Sequence, residues 1–134
     1  MRQGQGCKIL LVEDDKTLAD MYELRLKAED FEVVKTANGK QALAEIPHFQ
    51  PDLILLDILM PEMDGIQVLT FLRSQKETAD IPVLILTALS QSKDRAIGME
   101  AGADDYIVKS EVMPHEVVER VKEAIEVKDI AKHD

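Results

Sequence analysis

The chain has 134 residues, which is enough for one domain with a single substantial core. Its formal net charge of −10 argues against direct binding to nucleic acid or to an anionic membrane surface, since both depend on lysine and arginine. The one cysteine, Cys7, cannot form an internal disulfide, so we expect a reducing, cytoplasmic location. No apolar stretch approaches the roughly 18 residues of a membrane helix. Residues 1–7 are predicted to form a flexible arm.

Short apolar runs alternate with helical patterns along the chain. The predicted strands are residues 9–12, 31–35, 53–56, 83–86 and 106–108. Between them, apolar residues at spacings of three and four predict helices near residues 18–26, 42–46, 66–72 and 92–100, and a last helix from residue 114. Pro47 is expected to end the second helix, Gly102 to cap the fourth in a left-handed conformation, and Pro114 to begin the fifth.

Five strand–helix pairs of this kind predict an α/β fold with a single, doubly wound domain over residues 8–127. Four of the strands, residues 9–12, 53–56, 83–86 and 106–108, are continuous apolar runs, which is typical of a parallel sheet that is covered on both faces. Residues 128–134 form a polar tail that either frays or extends the last helix.

Charged or hydroxyl side chains lie at the carboxyl ends of four predicted strands. Glu13 and Asp14 follow the first strand, Asp57 the third, Thr87 the fourth and Lys109 the fifth. Ligands of open parallel sheets bind at this edge, so we expect these groups to lie together. Mg²⁺ prefers oxygen ligands and commonly uses one or two carboxylates with phosphate oxygens. The pattern therefore predicts a site for a divalent metal and a phosphoryl group.

Each of these residues also has a simpler interpretation. Acidic residues in strand-to-helix loops often cap helices, and that interpretation suits Asp15. It suits Asp57 poorly, because a carboxylate among apolar residues needs a cation or hydrogen-bond donors to stay ionised. Lys109 is the natural counter-charge, although a lysine at the end of a strand can also be solvated. Thr87 is weak evidence alone and gains weight only beside Asp57 and Lys109.

Four segments together resemble the receiver domain of two-component response regulators. They are ILLVEDD at 9–15, LLDILMP at 55–61 followed by Asp64-Gly65, LTA at 86–88, and GADDY at 102–106 leading to Lys109. The resemblance covers about residues 8–127. It implies a flavodoxin-like fold of five helices and five parallel strands, with the strands in the order 2-1-3-4-5.

The resemblance implies a role for each residue at this edge of the sheet. Asp57 would be the phosphoacceptor, which takes a phosphoryl group from a phosphohistidine in a Mg²⁺-dependent reaction. Lys109 and Thr87 would hold phosphoryl oxygens. The metal ligands would be Asp14 directly, Glu13 largely through water, Asp57, and the backbone carbonyl of Leu59. Catalysis would then consist mostly of positioning and electrostatic stabilisation.

The resemblance also implies a switch and a set of partners. Phosphorylation would draw the Thr87 hydroxyl toward the phosphoryl group, and Tyr106 would then move inward; the alternative is that Tyr106 is a fixed, half-buried ring. The fourth helix, fifth strand and fifth helix would present the result to an output protein or a fused effector domain. The phosphoryl donor would be a sensor histidine kinase or a histidine phosphotransfer protein.

The chain would then be a signalling switch rather than an enzyme, since it would catalyse only its own phosphorylation and dephosphorylation. Phosphorylation-dependent dimerisation is left open by the sequence. So is the choice between a stand-alone receiver and a piece of a longer regulator, because residues 128–134 are too few for an output domain.

Two features depart from the family pattern. Ser110 follows Lys109 where the family usually has a proline in a cis peptide, so this bond is either trans or strained. Leu59 and Leu89 occupy two positions that in receivers influence how water reaches the aspartyl phosphate. Because two apolar side chains offer no polar group to orient an attacking water, we expect slow self-dephosphorylation.

Three other functions share parts of this pattern. An aspartyl-phosphate phosphatase would have its nucleophile after the first strand and a second carboxylate two residues later. Here Asp57 follows the third strand, and the residue two positions later is Leu59. A flavodoxin-like nucleotide binder would need a glycine- or hydroxyl-rich loop where Glu13 and Asp14 would repel phosphate. A phosphorylation-independent adaptor with the receiver fold is the main alternative, chiefly because of Ser110.

Overall fold

The structure is a computed structural model that describes the backbone of residues 6–133 and the side chains of residues 6–128. Within this range the strands are β1 (Lys8–Val12), β2 (Glu32–Thr36), β3 (Leu53–Leu56), β4 (Val83–Thr87) and β5 (Asp105–Val108). The helices are α1 (Lys16–Lys27), α2 (Gly39–Phe49), α3 (Gly65–Ser74), α4 (Ser92–Glu100) and α5 (Pro114–His133). Most of the arm expected over residues 1–7 lies outside the described residues.

The five strands form one parallel sheet in the order β2-β1-β3-β4-β5. The predicted α/β fold and strand order are therefore confirmed. Val12 lies opposite Leu56 in the β1–β3 pair, and Thr87 lies opposite Val108 in the β4–β5 pair. This register brings the residues that follow these strands to the same edge of the sheet.

Two apolar layers cover the sheet, one on each face. Ile9 and Leu11 of β1 point into a cluster that contains Leu26 of α1 and Val117 of α5. The alternate residues of β1 belong to a second cluster with buried residues of α2 and α3. Because side chains alternate along a strand, covering both faces favours continuous apolar runs, as in Leu53–Leu56 of β3, whereas the edge strand β2 contains the exposed Glu32 and Lys35.

The prediction that Pro47 ends the second helix is wrong. Helix α2 continues to Phe49, and the backbone N–H of Gln50 still donates to the carbonyl of Ile46 at 2.8 Å. Proline removes one helical hydrogen bond, because it has no N–H to offer the carbonyl four residues earlier. Phe49 is only 8% exposed and packs in the second cluster. Burial of this ring offsets the missing bond for the last turn.

The other boundaries stay close to the prediction. Strand β2 lies one residue later than expected, whereas α4 covers the predicted residues. Gly102, which follows α4, has a φ of 111°, in agreement with the left-handed conformation that was predicted. Helix α5 begins at Pro114 as predicted and runs to His133, so it includes most of the segment expected as a tail. No helix of the described residues is both long and apolar enough to cross a bilayer.

Candidate functional site

Three carboxylates meet at the carboxyl edge of the sheet. Glu13 and Asp14 follow β1, and Asp57 follows the neighbouring β3. One carboxylate oxygen from each lies within 4.8 Å of the others. Glu13 and Asp57 are each 4% exposed, while Asp14 is exposed to solvent. The structure thus brings together the acidic residues that the sequence grouped.

Lys109 is the cation that faces this cluster. Its Nζ lies 2.7 Å from Oε1 of Glu13 and 3.0 Å from Oδ2 of Asp57. Burial raises the pKa of Glu13, and the hydrogen bond from Lys109 opposes that rise. Burial alone would lower the pKa of Lys109, but the hydrogen bonds to the two carboxylates raise it above its ordinary value. One lysine against three carboxylates leaves an excess of negative charge that attracts a cation.

Backbone groups fix the orientation of the two buried carboxylates. The N–H of Asp15 donates to Oε2 of Glu13 at 3.1 Å, and the N–H of Leu59 donates to Oδ1 of Asp57 at 3.2 Å. Asp15 itself caps α1, since its Oδ1 accepts from the N–H of Leu18 at 3.1 Å. The helix-cap interpretation of Asp15 is therefore confirmed. The carbonyl of Leu59, predicted as a metal ligand, stays a prediction.

Gly65 allows α3 to begin directly against the loop that carries Asp57. A Cβ atom at this position would lie 2.2 Å from the backbone oxygen of Asp57 and 2.8 Å from the Cα of Ile58. The preceding Asp64 forms a capping box with Gln67, which fixes the first turn of α3. Sequence reasoning identified the Asp64-Gly65 entry to the helix but missed this close approach. An Asp-Gly pair following the Asp57 motif was the signal that was available.

Thr87 and Tyr106 meet at the peptide of one loop residue, Leu89. The Thr87 hydroxyl, which is fully buried, accepts from the N–H of Leu89 at 3.4 Å. The Tyr106 hydroxyl donates to the carbonyl of the same Leu89 at 2.9 Å. The ring is 1% exposed, and burial raises the pKa of its phenol. The Tyr106 side chain is therefore buried rather than half-buried, and its movement on phosphorylation stays a prediction.

The loop after β5 resolves the question that Ser110 raised. No peptide bond of the described residues is cis, so the Lys109–Ser110 bond is trans. Residues Lys109–Glu111 form a single turn of 3₁₀ helix. Lys109 nevertheless reaches both Glu13 and Asp57, so a cis bond is not required to place its ammonium group in the site.

The three carboxylates lie close enough together to hold a magnesium ion, directly or through its retained waters. Octahedral Mg²⁺ holds its ligands at about 2.0–2.1 Å, so ligand oxygens lie roughly 3–4 Å apart. The separations within 4.8 Å among Glu13, Asp14 and Asp57 need little adjustment to meet this geometry. Exposure of Asp14 leaves one side open for the waters that Mg²⁺ retains.

Comparison with known proteins agrees with this geometry. Residues 9–122 match the model of the response regulator receiver domain. The chain belongs to this family. The receiver domain of the Francisella response regulator 1452 superimposes with a TM-score of 0.85 at 31% identity, over 92% of this chain and 99% of that one.

Two longer relatives match this chain over part of their own length. The DNA-binding dual master transcriptional regulator RpaA of Synechocystis is 41% identical over 102 residues, which are 76% of this chain and 42% of RpaA. The DNA-binding response regulator MtrA of Mycobacterium tuberculosis H37Rv is 41% identical over 115 residues, which are 86% of this chain and 49% of MtrA. The chain thus spans about half the length of the curated relatives it matches.

Proposed function

We propose that Asp57 accepts a phosphoryl group from a phosphohistidine on a sensor histidine kinase or a histidine phosphotransfer protein, with Mg²⁺ held by Asp14, Glu13 and Asp57. The observation that supports this most directly is the position of Asp57. Its carboxylate is almost fully buried at the ligand-binding edge of the sheet, where Oδ2 lies 3.0 Å from the ammonium nitrogen of Lys109. An ionised, oriented carboxylate is what nucleophilic attack on phosphorus requires.

The residues of this chain would divide the work of the transfer. A carboxylate oxygen of Asp57 attacks phosphorus, the bond from phosphorus to the imidazole nitrogen breaks, and its electron pair stays on the histidine. The ammonium of Lys109 follows the incoming phosphoryl oxygens, and the Thr87 hydroxyl donates to another of them. A bound Mg²⁺ supplies positive charge that offsets the charge developing on these oxygens. The product is an acyl phosphate on Asp57.

The expected readout is the surface formed by α4, β5 and α5. Thr87 and Tyr106 contact the same peptide of Leu89, and this shared contact supports coupling between the site and that surface. The output protein or fused effector domain would bind there, and dimerisation of the phosphorylated chain is one form that this could take. The chain is a cytoplasmic switch on this proposal, and it catalyses only its own phosphorylation and dephosphorylation.

A phosphorylation-independent adaptor is not favoured as an alternative. An adaptor would need only the partner surface, and it would gain nothing from two buried carboxylates held around one lysine. Burying charges costs several kcal/mol per ion unless pairing offsets it. The pairing of buried Glu13 and Asp57 with the partly buried Lys109 is therefore better explained by phosphoryl chemistry.

The proposal is tested by intact mass after incubation with acetyl phosphate and Mg²⁺. We expect one added phosphoryl group, lost in Asp57→Asn and in the presence of EDTA. Asp52→Asn is the matched control, because Asp52 lies at the opposite end of the same strand, where it accepts from the N–H of Lys8 at 2.8 Å. This variant should be phosphorylated like the wild type. No adduct from either acetyl phosphate or a phosphohistidine donor, on folded protein, would contradict the proposal.

A further inference from the structure

Helix α4 approaches the sheet most closely at Gly98, against the side chains of Ile85 and Tyr106. All nine of its residues are described, and the single buried one is Gly98. A Cβ atom at Gly98 would lie 2.8 Å from Cδ1 of Ile85 and 2.9 Å from Cδ2 of Tyr106. The Tyr106 ring and the end of the Ile85 side chain together fill the space that the missing side chain leaves. The inward position of Tyr106 and the seating of α4 are therefore one packing arrangement.

Arg95 contacts Tyr106 in two ways from the surface of α4. It precedes Gly98 by three residues, so the two lie on the same side of the helix. The centre of its guanidinium group lies 5.3 Å from the centroid of the Tyr106 ring, within the range of a cation–π contact. Nη2 of Arg95 also donates to the backbone carbonyl of Tyr106 at 3.2 Å. Arg95 is exposed while the ring beneath it is 1% exposed, so the guanidinium separates the ring from solvent.

We propose that Arg95 is a positioning residue that holds Tyr106 in its inward orientation and, through that ring, keeps α4 seated on the sheet. The planar guanidinium can stack on the ring and donate to the carbonyl at once, which a lysine ammonium does less well. The hydrogen bond to the backbone carbonyl fixes the guanidinium above the ring, and the cation–π contact then favours the inward position by roughly two- to fivefold. This inference concerns the chain as it stands and does not depend on phosphorylation of Asp57.

The competing explanation is that Arg95 only lies over a ring that is held by other contacts. The Tyr106 hydroxyl donates to Leu89, and the ring packs against Gly98; these contacts would persist without Arg95. The two explanations differ in what happens to the exposure of Tyr106 when the guanidinium is removed. Exposure rises if Arg95 holds the ring, and it is unchanged if Leu89 and Gly98 suffice.

Tyrosine fluorescence gives a direct measure of that exposure. The chain has two tyrosines and no tryptophan, so Tyr22→Phe leaves Tyr106 as the sole emitter. In this background we expect Arg95→Ala to raise the acrylamide quenching constant about threefold or more, because the ring then spends a sizeable share of time outside. Lys93→Ala is the matched control, since it removes an exposed cation of the same helix, and quenching should stay at the background value.

Two further variants complete the test. Gly98→Ala is the positive control, because its new methyl group competes with the ring for space and should raise quenching whatever Arg95 does. The quenching constant of Arg95→Lys should fall between that of the background and that of Arg95→Ala. If circular dichroism shows that Arg95→Ala has lost helicity, the comparison of Arg95→Lys with the background tests the proposal instead. Quenching unchanged in both Arg95 variants would overturn the proposal. So would an equal rise in Lys93→Ala, which would indicate a general charge effect.

Discussion

Replacing Gly65 with alanine should cost more stability than a single methyl group normally does. The added Cβ would lie 2.2 Å from the backbone oxygen of Asp57 and 2.8 Å from the Cα of Ile58. Comfortable contacts lie near 3.5 Å, so one of the two backbones has to move by about 1 Å. Neither is free to do so, because Asp57 and Ile58 are buried and α3 is fixed by the Asp64 cap.

The magnitude follows from setting the clash against the helix propensity of alanine. Overpacking costs typically 1–3 kcal/mol, and contact with backbone rather than with a side-chain end places Gly65→Ala at about 3 kcal/mol. Alanine returns at most about 1 kcal/mol in a helix, and less at its first residue. We therefore expect a net loss of roughly 2–3 kcal/mol in the free energy of unfolding, or a fall of about 10 °C in Tm.

Gly98→Ala is the matched comparison. Its Cβ would also come closer than 3.0 Å to other atoms, but those atoms are the ends of the Ile85 and Tyr106 side chains, which can rotate. Gly98 lies inside a helix, so alanine there regains up to about 1 kcal/mol, and the net loss should be about 1 kcal/mol or less. Urea unfolding followed by circular dichroism measures both variants. A loss below about 1 kcal/mol for Gly65→Ala, or equal losses for the two, would refute the reasoning.

Three further results are expected. The Nζ atom of Lys35 lies 2.5 Å from Oδ1 of Asp20, and its hydrogen bond lowers the pKa of Asp20. The pair therefore stabilises the fold above the pKa that Asp20 has in the unfolded chain. This contribution disappears as the pH falls through the lower pKa that Asp20 has in the folded chain. Lys35→Gln should thus melt below the wild type at about pH 7 and level with it at about pH 2; a constant difference would contradict this. Glu62→Gly should gain about 0.5 kcal/mol in urea unfolding, because φ of +66° suits glycine, and a loss would disprove it. Polar substitution of Leu59 and Leu89 should speed loss of phosphate from the phosphorylated chain, followed by intact mass, and an unchanged rate would count against apolar shielding.

The sequence predicted the parts of the site in which a charged residue directly follows an apolar strand. Asp57 follows four apolar residues, and the parallel order of the strands places Glu13 and Lys109 at the same edge, so motif and topology together predict the cluster. The prediction that Pro47 ends the second helix was wrong, because a local rule about proline does not include the burial that Phe49 gains from a further turn.

Contacts between elements were beyond the reach of the sequence for a similar reason. The approach of Gly65 to Asp57 depends on where α3 starts relative to β3, and no pattern within either element encodes that distance. The stacking of Arg95 on Tyr106 joins an exposed position of a helix to a buried position of a strand. Such pairs become visible only when the packing of the two elements is known.

The two ion pairs of Lys109 also constrain how the chain acquires its chemistry. They join residues that are 96 and 52 positions apart, so the partners are brought together only when β5 has joined the sheet that contains β1 and β3. Contacts of such long range require large loops to close, and the entropic cost of that closure slows folding. A nascent chain that has reached only β4 would lack the lysine altogether. On the proposed function, phosphorylation of Asp57 therefore requires β5 to have joined the sheet.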